Sequence, residues 1–144
     1  MTPGEALREY LSHKDTVTAI CGSRIFGDKA EAADVGPHPY IVYSMPSNVE
    51  PGHLTGVTTL SRATLQINCW ARKKPDSERL REAVRDVLQT FKGTVSNTEG
   101  SLSIRSVRFS NSADAFVPDD GNTGDYSAGI TLSMWHRVAV PAGV

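Results

Sequence analysis

Leu60-Ser61-Arg62-Ala63-Thr64-Leu65-Gln66-Ile67-Asn68-Cys69-Trp70-Ala71 is the stretch that decides the fold class of this chain. Its odd positions from Ala63 to Ala71 are apolar. Its even positions Arg62, Thr64, Gln66 and Asn68 are polar, until Trp70 departs from the alternation. A period of two over this length marks a strand with one buried face. The basic turn Arg72-Lys73-Lys74 follows. Beyond it Leu80, Ala83, Val84, Val87, Leu88 and Phe91 recur at spacings of three and four, which lays one apolar stripe along a helix. Asp76 is the expected N-cap of that helix and Gly93 its expected stop.

Working outward, Thr2-Pro3-Gly4-Glu5 is a capping box with proline at the first helical position. Ala6, Leu7, Tyr10 and Leu11 form the buried side of the short helix it starts. Asp15 can cap a further turn through Ile20, which Gly22 ends. Arg24-Ile25-Phe26 reads as a brief strand and Gly27 to His38 as a polar loop. Tyr40-Ile41-Val42-Tyr43-Ser44 is a strand, followed by a long connection from Ser47 to Thr59 that contains Pro51, Gly52 and Gly56. Connections of that length often have a binding role.

Between Ser101 and Phe109 the apolar parity changes, from Leu102 and Ile104 to Val107 and Phe109, which predicts a bulge near Arg105-Ser106. Asn111 to Gly124 reads as a second long polar loop that holds Phe116 and Val117. The last strand runs from about Tyr126 to Val138, with Ile130, Leu132, Met134 and Val138 buried. Thr131, Ser133, Trp135 and Arg137 alternate with them on the other face. The order helix, strands, helix, strands implies an α+β fold, with a mostly antiparallel sheet and helices packed on one face.

At 144 residues the chain fits one domain spanning 1–144, with a frayed tail from about 139. That length buries a real core without metal or disulfide staples. Net charge is −1, so no whole-protein field draws the chain to nucleic acid or an anionic membrane. Two cysteines argue against an oxidised scaffold, and Cys69 sits on the apolar face of its strand. A Cys21–Cys69 bridge stays open on the sequence alone. No apolar run approaches membrane-spanning length, and the N-terminus has no signal-peptide pattern. The chain is therefore expected to be made and kept in a cytoplasm.

Chemistry-bearing motifs are incomplete. Gly22 to Lys29 nearly spells a phosphate loop, but the lysine comes one place late and Asp28 stands where it should be. A turn–strand–turn is the better reading. Asp120 to Asp125 has the look of a calcium loop without its sixth-position glycine or its closing glutamate. His13, His38, His53 and His136 lack the spacing of a zinc pair, and His136 is expected to be packed. Cys69 has no nucleophile signature around it, and a mid-strand thiol on a buried face is usually inert. No residue is expected to be catalytic, to hold a cofactor or to bind metal. Arg72-Lys73-Lys74 is the only basic cluster and reads as a solvated turn.

The aromatic residues off the apolar parity carry more. Trp70 and Trp135 each fall opposite the buried face of their strand, which is either a partner surface or a second, partly covered sheet face.

Several short motifs occur in a telling order. Gly-x-Arg-Ile-Phe (Gly22 to Phe26) precedes Pro-Tyr-Ile-Val-Tyr (Pro39 to Tyr43) and a long loop. Leu-Gln-Ile-Asn-Cys-Trp-Ala (Leu65 to Ala71) and a charged amphipathic helix come next, and the final strand ends Met134-Trp135-His136-Arg137. From about Leu7 to Arg137 the chain resembles the tail completion family of long-tailed phages, also called tail terminator or head-to-tail joining proteins. The resemblance implies a ring-forming α+β subunit and a homo-hexamer that caps the tail tube and meets the head connector or neck protein. DNA would only pass through the lumen, and no membrane would be involved. The expected location is the virion tail or neck, after assembly in the host cytoplasm. The residues expected at the contacts are Trp70, Trp135, Arg62 and Phe116, with Pro51, His53 and Leu54 in the long loop. The long Asn111–Gly124 loop departs from the family pattern. Another phage neck or capsid-joining adaptor, or a small ligand-binding or hydrolase domain, are the competing classes.

Overall fold

The computed structural model of the protein describes residues 2–27, 39–49, 60–98, 100–118 and 124–137. Helix α1 (Pro3–Ser12) opens with the capping box: Thr2 accepts from the Glu5 N–H at 3.2 Å, and Glu5 accepts from the Thr2 N–H at 3.2 Å. Helix α2 (Asp15–Cys21) starts from Lys14 without a side-chain cap. It ends at Gly22, whose φ of 61° lies in the region glycine enters without steric cost. Helix α3 (Lys74–Leu88) starts one turn's edge earlier than its sequence suggests. Pro75 takes an early helical position, and Asp76 becomes a first-turn carboxylate instead of the N-cap, where it still favours the helix dipole.

The strands are β1 (Ile25–Gly27), β2 (Tyr40–Val49), β3 (Leu60–Ala71), β4 (Gly93–Asn97), β5 (Gly100–Pro118) and β6 (Gly124–Arg137). They form one six-stranded sheet in the order β1-β2-β3-β6-β5-β4. Only β1 and β2 pair in parallel; the other pairs are antiparallel. The α+β class with helices against one face is therefore the observed architecture.

The centre of the sheet is the β3–β6 ladder, unbroken from Leu60↔Arg137 to Ala71↔Tyr126. Its register puts Leu65 beside Leu132 and Ile67 beside Ile130, all on the helix-covered face. These side chains merge with Leu7, Leu11, Leu80, Val84 and Leu88 from the helices, and with Phe91 just past the end of α3, into one core. Each fully buried leucine or isoleucine contributes about 1.5–3 kcal/mol by leaving water. Helix α1 is tied to the end of α3: the Tyr10 hydroxyl donates to the Val87 carbonyl at 3.0 Å, and its ring stacks on Phe91 with centroids 4.1 Å apart.

In the structure the expected bulge is present, and four other readings of the sequence change. The bulge does lie between Ile104 and Ser106, and it returns Val107 and Phe109 to the face of Leu102 and Ile104. A second irregularity follows between Phe109 and Asn111. The stretch from Asn111 to Pro118 is not loop but strand, paired with Gly124–Ile130 and Thr131, so β5 and β6 make a long hairpin arm. Strand β2 likewise runs on to Val49, past an irregularity between Ser44 and Ser47. Both segments are polar with few β-branched residues, so local propensity hides a strand that cross-strand pairing supports. Strand β4 was also invisible in the pattern, since only Val95 of its five residues is partly covered. Helix α3 stops at Leu88, and Gly93 opens β4 instead of ending the helix.

The arm is held to the helix layer by Arg81 of α3, which forms an ion pair with Asp114 of β5. Arg81 is only 16% exposed, so this pair is better shielded than a surface salt bridge. At the arm's end Gly124 faces Pro118. A Cβ there would sit 2.5 Å from the Val117 carbonyl oxygen and 2.7 Å from the Phe116 ring, so only glycine fits beneath that ring.

Both thiols are free and buried. Burial pushes the Cys21 thiol from 9.0 up to about 11 and raises Cys69 further. The folded state thus favours neutral thiols more than the unfolded chain does. Their contribution is fully present below pH 9 and is lost as pH rises towards the folded-state values. Urea midpoints should accordingly fall between about pH 9 and 11, and Cys21→Ala should flatten that slope; an equal slope in the variant would assign the alkaline loss to other groups. Arg81→Met should cost about 1 kcal/mol, near 3 °C in melting temperature, and speed amide exchange across Asn111–Val117. Unchanged exchange there would mean that the arm keeps its place without the ion pair.

Candidate functional site

The face of the sheet away from the helices is the first candidate surface. Alternation along each strand and the observed register determine what it carries. From β3 come Arg62, Thr64, Gln66, Asn68 and Trp70; from β6 come Ser127, Gly129, Thr131, Ser133, Trp135 and Arg137. This is a largely uncharged floor of hydroxyls and amides, with one tryptophan towards each end.

Arg62 and Trp135 are direct cross-strand partners, so the structure brings these two expected residues together. Ser106 flanks Trp135 from the other side. Arg108 lies beside Ser133, and Arg137 lies two residues beyond Trp135 on the same face. Arg62, Arg108 and Arg137 are all exposed, and they frame a half-buried indole. Guanidinium groups around an aromatic side chain suit a partner that offers carboxylates or carbonyls together with apolar contact. Arg108 was not singled out from the sequence. Its place on this face depends on the bulge at Arg105, which shifts the parity of everything after it.

Trp70 stands apart. Eight residues along β3 separate it from Arg62, about 26 Å. Its ring stacks near Tyr40, with centroids 6.4 Å apart and planes 14° from parallel, and Phe26 meets Tyr40 edge-on at 6.2 Å. Tyr40 is only 8% exposed, so the aromatic row Phe26–Tyr40–Trp70 covers its own end of the sheet. Burial raises the Tyr40 hydroxyl pKa, with the nearby Asp125 charge acting in the same direction.

Phe116 lies on the helix side of the arm, its ring 4.7 Å from that of Tyr126. Between the arm and the first turn of α3 is a cleft of about 220 Å³, bordered by Lys74, Ser77, Asp114, Phe116 and Tyr126. A second, wider groove of about 490 Å³ runs between α2 and α3, with Ile20 and Val87 on its floor and Lys14, Arg79 and Asp86 at its rim. Pro51, His53 and Leu54 lie outside the described residues.

His136 is buried at 4% exposure, packed as expected and paired across the ladder with Ser61. Cys69 is fully buried with its thiol held neutral. Among the described residues no three His, Cys, Asp or Glu side chains group closely enough to hold a metal ion. No helix among them is long and apolar enough to cross a membrane. The described surface offers a polar sheet face, an arginine-framed tryptophan and an exposed margin along β5.

Comparison with known proteins agrees with a contact role. No curated protein matches the chain significantly in sequence. A solved structure described as the virion of native gene transfer agent (GTA) particle contains a chain with the same fold, at a TM-score of 0.67 and 12% identity. The likeness covers 94% of this chain and 95% of that one. The family described as tail completion protein gp17 matches residues 5–131, from α1 into the middle of β6. The chain therefore belongs to the tail completion protein gp17 family and is a structural protein of a phage tail.

Proposed function

We propose that this protein is the subunit of a homo-hexameric ring that caps the finished tail tube and joins it to the head connector. Family membership supports the tail role, and the sheet face with the exposed β5 margin supports action by contact. The arginine-framed Trp135 carries the reading furthest, because a half-buried indole among exposed cations is a surface built for a protein partner. Tube protein and connector protein are the partners this role requires. DNA passes through the lumen, and a net charge of −1 suits a channel wall to which the duplex must not adhere. The ring acts by geometry instead of turnover, and it is assembled in the host cytoplasm. Its working elements are Arg62, Trp70, Trp135, Phe116 and the loop that holds Pro51, His53 and Leu54.

Free subunits would associate weakly until a tail tip offers a template. Cross-linking of purified tails should trap a hexamer. A stoichiometry of one copy per tail would exclude the ring.

Residues 50–59 allow a second test. Asn48 and Val49 pair with Ala63 and Arg62, so the ladder must be left intact and only residues 50–59 replaced by an Asn-Gly turn. Loop-closure entropy changes slowly with length, so the melt should move by less than about 3 °C. Tail joining should fail. Normal joining by the shortened protein would remove Pro51, His53 and Leu54 from the working surface.

A further inference from the structure

Two stretches along the sheet's margins have a partner strand on one side only, among the described residues. Strand β4 covers β5 as far as Ile104, and beyond the bulge at Arg105 the strand has β6 alone beside it. Strand β1 covers β2 at Ile41–Tyr43, and from Ser44 onward β2 has β3 alone. Such margins present rows of unpaired backbone N–H and C=O groups, and proteins usually blunt them with short strands, bulges, lysine or proline.

The outermost strands β1 and β4 obey this rule, at three and five residues. The free part of β5 does not. After the irregularity at Ser110, Asn111–Val117 runs on without proline, glycine, lysine or a further bulge, and every side chain in it is exposed. It is about 23 Å long at about 3.3 Å per residue. Its single charged residue, Asp114, is engaged by Arg81. The free part of β2, Ser44-Met45-Pro46-Ser47-Asn48-Val49, has no charged residue. Uncharged margins offer little to nucleic acid or to a strongly charged partner. They do match each other.

The exposed apolar side chains point the same way. Met45, Phe116 and Val117, at 37%, 45% and 50% exposure, are the large hydrophobic residues standing out from the described surface. All three lie on these two margins.

We infer that the β5 margin from Asn111 to Val117 pairs with a second copy of this chain, along the neighbour's β2 margin that begins at Ser44. This contact deepens the ring reading given above and rests on it. Strand directions alternate from β2 through β3 and β6 to β5, so β5 and β2 run antiparallel. A sheet continued into the next copy therefore joins them in the antiparallel sense. The margins sit at opposite ends of the sheet, so each copy gives one and receives one. Such heterologous contacts propagate from copy to copy and form a ring when the rotation between copies closes, whereas β5 against β5 would stop at two copies.

Pro46 and the irregularity between Ser44 and Ser47 interrupt donors on the β2 side. Met45 then meets Phe116 by apolar contact where the ladder is broken. A ladder limited by the six residues Ser44–Val49 covers less than the roughly 800 Å² per partner of a stable interface. A dimer would hold one such ladder, while a closed ring gives every copy two.

The test uses Ala113→Cys and Val49→Cys, which an antiparallel match of the two margins places opposite each other, in the full chain, assembled into tails and treated with a short bis-maleimide. Cys21 and Cys69 are buried and stay silent. The double variant should give a ladder of multimers ending at the closed ring, and each single variant should stay uncross-linked. Covalent dimers from Ala113→Cys alone would overturn the inference in favour of paired β5 margins. A ring that fails to cross-link in the double variant would overturn it while leaving the ring reading in place. One copy per tail would overturn both. Independently, Ala115→Lys with Val117→Lys should leave the monomer's melt unchanged and reduce incorporation into tails at least tenfold; unchanged incorporation counts against the inference.

Discussion

The rest of the structure depends on the antiparallel ladder between β3 and β6. It is unbroken over the whole length of β3, from Leu60 to Ala71, and it aligns two alternating apolar sets on one face. Leu65, Ile67, Leu132 and Ile130 become a single surface that only a layer of helices can cover. A slip of one residue would turn every one of those side chains to solvent, so the burial itself sets the register. Helix α3 supplies the matching stripe, and α1 and α2 extend the cover towards β2 and β4.

With burial confined to one face, the other face and the margins are left for assembly. The hydroxyl- and amide-rich face is only partly open, with Ser127 buried and Thr64, Asn68, Thr131 and Ser133 half-exposed. The two irregularities in β5 have different consequences. The first keeps Val107 and Phe109 in the core, where Arg85 lies over the Phe109 ring at 5.4 Å. The second precedes the free margin of β5, which lies beside α3 and is secured there by the Arg81–Asp114 pair.

A tail structural protein works by presenting surfaces in fixed relation. Cys69, Cys21 and His136 are the residue types that most often carry reactions, and each is enclosed in packing. The surface holds the more distinctive features: the Arg62–Trp135 pair, the Phe26–Tyr40–Trp70 row and the exposed Phe116 and Val117.

The sequence by itself determined the α+β class, the one-sided strand at Leu60–Ala71, the capping box at Thr2, the amphipathic helix and the bulge near Arg105. Each is written in local periodicity or in a side chain that bonds to its own backbone neighbourhood. The order of short motifs also sufficed for the family. Only the tertiary structure decided that Asn111–Pro118 is strand and not loop, that β4 exists, and that Arg62 lies beside Trp135 while Trp70 lies far from both. Those facts rest on pairing between residues distant in sequence. A polar segment such as Asn111-Ser112-Ala113-Asp114-Ala115 has no periodic signal of its own, and it becomes a strand because β6 provides the hydrogen-bond partners that its backbone requires.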